Sequence, residues 1–224
     1  MALNRLLAEA IGTGLLIVAV VGSGIMAQKL APGQTALILI IISVVTAATL
    51  GPLIVIFGPI SGSHFNPVVT LVDAACGGVD RRQAAGYVLA QFAGGIAGTL
   101  ICHWMFDLST VQFTGAIRSG GGQWLGEIVA TSGLILIIRL LVDSERAELA
   151  PIMVPGWILG AIVFTSSTCF ANPAVTVARA FTGSITGIAW SSVPMFVLCQ
   201  LVGGGLGLGL SRVLRERPAP DPRP

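Results

Sequence analysis

Apolar residues run along this chain in six long stretches, near 4–27, 35–57, 84–106, 124–142, 152–170 and 190–211. Each is close to the roughly 20 residues that an α-helix needs to cross a bilayer. Breakers separate them: Lys29 to Gln34 with Pro32 and Gly33, Asp107 to Gln123 with Gly120 to Gly122, and the charged Asp143 to Glu148 ahead of Pro151. The pattern predicts an all-α membrane protein with six crossings. Two further apolar pieces, roughly 66–76 and 172–182, are too short to cross. At 1.5 Å per residue, about eleven residues make a helix of about 16 Å, half of a ~30 Å hydrocarbon core. They are expected to be re-entrant half-helices. The stretches ahead of them, "GPISGSHF" and "TSSTCFA", are then non-helical backbone inside the membrane, tolerated only when buried in protein or lining a water-filled cavity.

Composition sharpens the class. Hydrophobic residues make up 54% of the 224 positions and charged residues only 10%, and mean hydropathy is +0.90, far from soluble-domain usage. A net charge of +2 points to no nucleic-acid partner. Cys76, Cys102, Cys169 and Cys199 lie singly in apolar surroundings, without the spacing of a zinc site or a disulfide framework. The N-terminus lacks the pattern of a cleavable leader, because Glu9 interrupts the apolar run and no small-residue cleavage site follows. The tail after Arg212, "RERPAPDPRP" with its preceding residues, is charged and Pro-rich, and 214–224 is expected to be a disordered cytoplasmic tail. In a six-span arrangement Arg5, Arg81, Arg82, Arg139, Arg146, Arg212, Arg215, Arg217 and Arg223 share one side, against Lys29, Arg118 and Arg179 on the other. That asymmetry places both termini in the cytoplasm of a multi-pass protein of the cell inner (plasma) membrane.

The half-helix segments carry a repeat. "SGSHFNPVVT" at 61–70 and "TCFANPAVTV" at 168–177 share Asn-Pro-x-Val. With three full spans in each half, the second half is inverted relative to the first, so repeats of about 1–106 and 123–213 form a single domain, 1–213. Both half-helices then enter from opposite faces and meet at the midplane by their N-termini. "AEAIGTGLL" at 8–16 and "GEIVATSGLI" at 126–135 mark the same duplication, matching Glu9 to Glu127 and Thr13 to Thr131. Asn is a favoured N-cap and Pro is pre-organised at the first helical position. If each Asn oxygen caps its own helix, the amide NH2 groups of Asn66 and Asn172 are left to aim into one lumen from the positive ends of helix dipoles. A neutral oxygen is favoured there and a cation is not.

At these residues the chain resembles the major intrinsic protein family of aquaporins and aquaglyceroporins, and within it a divergent bacterial branch associated with arsenic. "SGSHFNPVVT" is similar to the family's SGxHxNPAVT signature, Asn172-Pro173-Ala174 matches its second motif, and "AEAIGTGLL" resembles its first-span signature. The likeness implies six transmembrane helices plus two half-helices, a homotetramer with one pore per protomer in the lipid bilayer, and facilitated diffusion without catalysis, cofactor or metal. It puts Asn66, Pro67, Val68, Asn172, Pro173 and Ala174 at the pore midplane. Glu9 and Glu127, with His64, become supports behind the two loops.

Departures from the family pattern matter most. Val68 stands where Ala is usual, and is expected to reshape the midplane slightly. Val175 stands where the second motif usually continues with Arg, so the usual filter guanidinium is absent. Offsets from the two asparagines carry the other filter positions onto Thr46, Gly160 and Cys169, a constriction without ring or charge. Such an opening is expected to pass bulky neutral solutes as well as water. Neutral metalloid hydroxides such as arsenous acid fit this expectation, with glycerol, urea, ammonia or plain water as alternatives. Arg179 lies one helical turn beyond Val175, and either returns a positive charge to the vestibule or is solvated or bonded to loop carbonyls. A coupled transporter also uses inverted repeats, but no carboxylate adjoins either Asn-Pro to hold a coupling ion. An enzyme is not expected, since the serines and cysteines have no His partner at useful spacing. The runs "GGIAG" at 94–98 and "GGGLGLG" at 203–209 suit close helix packing.

Overall fold

The computed structural model describes residues 2–215. Most of the expected tail therefore lies outside the described residues. Eight helices form the body: α1 (Leu3–Leu30), α2 (Thr35–Ser61), α3 (Pro67–Ala75), α4 (Arg81–Met105), α5 (Gly121–Asp143), α6 (Ala150–Phe164), α7 (Pro173–Ala178) and α8 (Val193–Leu214). Six of them, all but α3 and α7, are long and apolar enough to cross a membrane, α6 when counted with the short turn Ala147–Leu149 before it. The protein is all-helical among the described residues, as the apolar pattern predicts.

Packing follows the duplication. α1 lies against α4 and α2, and α5 against α8 and α6, while α3 touches α4 and α8, and α7 touches α8 and α4. Each half-helix thus seats between the last spans of both halves. The closest pairings depend on glycine. A Cβ on Gly98 would sit 2.4 Å from the Gly14 carbonyl oxygen, and one on Gly207 would sit 2.4 Å from that of Ser132. Both glycine runs therefore bring backbones together where lipid supplies no hydrophobic drive for helix association.

Two boundaries differ from the apolar pattern. α2 continues past residue 57 through Pro59 to Ser61, where Gly62 at φ +90° supplies the left-handed cap. The fifth span stops at Phe164 rather than near 170. Its successor segment, expected as the non-helical lead to the half-helix, bonds its hydroxyls locally. Thr165 Oγ1 donates to Ala161 O and accepts from the Cys169 N–H at 3.0 Å, and the Thr168 N–H donates to Thr165 O. Such local bonds compete with the helix ladder. The second half-helix is also shorter than expected, six residues of α-helix followed by a 3-10 turn, Arg179–Phe181.

Candidate functional site

Each loop ahead of a half-helix is held from behind by a buried glutamate. Glu9 Oε1 accepts from Ser61 Oγ at 2.6 Å and the His64 N–H at 3.0 Å, and Oε2 accepts from the Phe65 N–H and Gln91 Nε2, both at 2.7 Å. In the other half Glu127 accepts from the Phe170 and Ala171 N–H groups, both at 2.9 Å, and from Gln200 Nε2 at 2.6 Å. Gln91 also donates to Thr70 and Gln200 to Thr176, closing two matching networks. Consecutive N–H groups can converge on one acceptor because the loops alternate into left-handed backbone: φ is +49° at Ser63 and +48° at Phe65, then +47° at both Cys169 and Ala171. Alternation of this kind turns successive N–H groups to one side as an anion-holding concavity. Strain at non-glycine residues in this region is held by the surrounding bonds. The networks add Thr70, Gln91, Thr176 and Gln200 to the supports inferred from sequence. For the threonines the signal there is recurrence four residues after each Asn; the glutamines recur in the last span of each half.

The asparagines do two things at once. Asn66 Oδ1 accepts from the Val68 N–H, and Asn172 Oδ1 from those of Ala174 and Val175, so both cap their helices with Pro at the first position. Their amide nitrogens cross between loops: Asn66 Nδ2 donates to Ala171 O and Asn172 Nδ2 to Phe65 O, each at 2.8 Å. One of the two N–H groups on each amide is therefore used between the halves, not in the lumen. The other remains available to a passing oxygen.

A cavity of about 1050 Å³ runs the length of α2, with Thr35 and Ser61 both on its wall, and passes both asparagines. Thr46, Cys169 and Val175 face it, as do His64 and Arg179. Gly160 does not. α6 turns Val154, Ile158 and Ile162 to the lumen at four-residue intervals, and position 160 lies two residues from its lining neighbours, about 200° round the helix. Ile158 and Ile162, on either side of position 160 in sequence, face the cavity instead, so that wall is aliphatic. Val68 also departs from expectation. A Cβ on Gly204 would meet its Cγ1 at 2.4 Å, so the valine points into α8 rather than reshaping the midplane. Pro67, Pro173 and Ala174 likewise serve the helix starts and are absent from the cavity wall.

The two mouths are charged. At the end nearer the termini, Arg5, Arg139, Asp73 and His64 line the cavity. His64 Nδ1 meets Thr70 Oγ1 at 3.1 Å and its Nε2 lies 3.7 Å from Asp73, so the imidazole both braces the half-helix and faces the opening. At the opposite mouth Arg179 is 5% exposed, donates from Nε to Thr186 O, and lays its guanidinium over Phe170 with the carbon 3.4 Å from the ring centroid. Arg179 is therefore not a solvated surface residue: it bonds a loop carbonyl and lines the cavity. Arg118, counted from sequence only as a basic loop residue, reaches the same ring at 5.1 Å and the same cavity. It is pinned by Nε to Gly187 O at 3.0 Å and by Nη2 to Ile185 O at 3.2 Å. Loss of water on burial pulls its pKa below the ordinary guanidinium value, partly offset by the Glu127 charge. Nothing in the Gly-rich loop around it signals this reach.

Residues 1–210 match the model of the Major intrinsic protein family. Among curated relatives, Aquaglyceroporin AqpS of Rhizobium meliloti (strain 1021) is 47% identical over 97% of this chain and 92% of its own. Aquaporin TIP4-4 of Zea mays is 30% identical over 91% and 83%. Among solved structures, the aquaglyceroporin from Plasmodium falciparum shares the fold at a TM-score of 0.72 over 94% of this chain and 96% of that one, with 17% identity.

Proposed function

Because the chain belongs to the major intrinsic protein family, whose aquaglyceroporin members are channels and not enzymes, we propose that it is a passive channel that passes neutral metalloid hydroxides such as arsenous acid. At the coarser level it is a multi-pass membrane channel for water and small solutes. The observation that supports the finer proposal is that Val175 lines the cavity where the family's second motif usually continues with Arg, on a wall shared with Thr46, Ile162 and Cys169, a hydroxyl, a thiol and aliphatic groups. Without a fixed guanidinium at Val175, the wall sets a weaker charge and steric barrier to a compact neutral molecule. Beyond it, the spare N–H groups of Asn66 and Asn172 donate to its oxygens at the midplane.

Sidedness and assembly belong to the same proposal. Both termini face the cytoplasm of the inner membrane, supported by the basic residues near α1, α4 and α8 on that face. Of the three opposite, two are drawn into the cavity mouth, which leaves Lys29 as the surface cation there. Four copies associate, each with its own pore, and native mass spectrometry in detergent tests that count. The transport proposal is tested by arsenous-acid flux into proteoliposomes. Linear, ion-independent uptake supports it; saturable uptake driven by a sodium or proton gradient contradicts it.

A further inference from the structure

A buried guanidinium, Arg179, and a half-buried one, Arg118, share one aromatic ring at the mouth opposite the termini, and no carboxylate pairs with either among the described residues. The nearest acid acting on them electrostatically, Glu127, already accepts three hydrogen bonds from Phe170, Ala171 and Gln200. Arg118 has committed Nε and Nη2 to loop carbonyls, with Nη1 at 3.5 Å from Thr168 Oγ1. Arg179 has committed only Nε; its Nη1 and Nη2 groups have no protein acceptor among the described residues, and the side chain lines the cavity. A guanidinium bears five N–H donors in a planar fork, so Arg179 presents four without a partner. These groups open onto the lumen, where water or the oxygens of a ligand can accept from them.

We propose that Arg118, Phe170 and Arg179 form a binding site for one small oxyanion at this mouth, on the lumen side of the loops. The Arg179 fork takes two oxygens side by side, the geometry in which charge-assisted bonds to oxyanions are strongest. Arg118 adds a second positive charge from a fixed position, and the Phe170 ring holds the Arg179 plane against swinging away. The anion stops there. Elsewhere on the wall, Val175, Ile162, Thr46 and Cys169 offer a charge no comparable partner, so desolvation away from the two arginines is not repaid. An occupied site therefore narrows the route for neutral solutes, and oxyanion concentration tunes their flux.

The test has two arms, and only the second depends on the channel proposal above. Inorganic phosphate is titrated calorimetrically into purified protein in dodecyl maltoside, which has no phosphate, so any binding is to the free anion and not a lipid headgroup. Proteoliposome swelling is then compared in phosphate and in chloride at equal ionic strength, as a ratio within each variant. Saturable phosphate binding and a severalfold slower swelling in phosphate are expected for the unmodified protein. Arg179→Gln is expected to lose both, and Arg179→Lys, which keeps a charge but not the fork, to weaken binding about tenfold. Absence of phosphate binding to the folded, unmodified protein overturns the site, as does Arg179→Lys and Arg118→Lys binding with unchanged affinity. Binding without any effect on swelling overturns the occlusion.

Discussion

Val68 occupies the space that Gly204 leaves open: a Cβ on Gly204 would come within 2.4 Å of Val68 Cγ1. The contact joins half-helix α3 of the first repeat to α8 of the second. It explains how a valine fits after Asn66-Pro67 without entering the lumen. Gly204→Ala is expected to destabilise the fold by about 1–3 kcal/mol through overpacking, and Val68→Ala in that background to recover most of the loss. A double-mutant cycle on thermal unfolding in detergent reads the coupling, expected at about 0.5–3 kcal/mol; simple additivity contradicts the contact.

Asn66 and Asn172 each cap a helix and cross to the opposite loop. Replacing either with Ala removes a cap, about 1 kcal/mol, and a buried cross-loop bond of similar size. Asn66→Asp keeps the capping oxygen but loses the donor to Ala171 O. Its second oxygen then faces the Ala171 carbonyl without a donor, so the Asp variant is expected to melt below Asn66→Ala. Equal melting of all three means the amide nitrogen contributes nothing to stability.

The glutamate supports give an ordered prediction. A glutamine at position 9 or 127 turns an NH2 toward a group that itself donates, so a buried donor is left without an acceptor at about 1–3 kcal/mol per group. Glu9 accepts four hydrogen bonds and Glu127 three, so Glu9→Gln is expected to lose more thermal stability than Glu127→Gln. A reversed order in matched melts contradicts the count.

Cys169 lines the cavity, whereas Cys76 is exposed and Cys102 and Cys199 are buried away from it. A small mercurial is expected to slow swelling severalfold through Cys169. The block disappears in Cys169→Ser and stays in Cys76→Ser; block that survives in Cys169→Ser moves the cysteine off the pore wall.

Most of the architecture is legible in the sequence because it is written twice. Span length and apolar runs give the six crossings, and the Asn-Pro pair gives two helix starts whose inversion follows from an odd number of spans. Position 160 is not legible from an offset, since counting residues from Asn172 ignores how α6 rotates its wall; Ile158 and Ile162 four apart carry that signal instead. The end of α6 is half legible: the apolar run carries the span to about 170, while the half-helix demands that "TSSTCFA" be non-helical, and the local bonds of Thr165 accompany the second outcome. Arg118 is least legible of all. Its place at the mouth depends on the folding of two distant loops against Ile185 and Gly187.

The central claim is that Val175 leaves the filter without the guanidinium that its position usually supplies. Stopped-flow swelling of proteoliposomes against water, urea, glycerol and arsenous acid, for the unmodified channel and Val175→Arg, tests it most directly. The account predicts that the substitution cuts permeability to glycerol and arsenous acid about tenfold or more while water is reduced far less. Unchanged passage of the larger solutes through a folded Val175→Arg channel contradicts it.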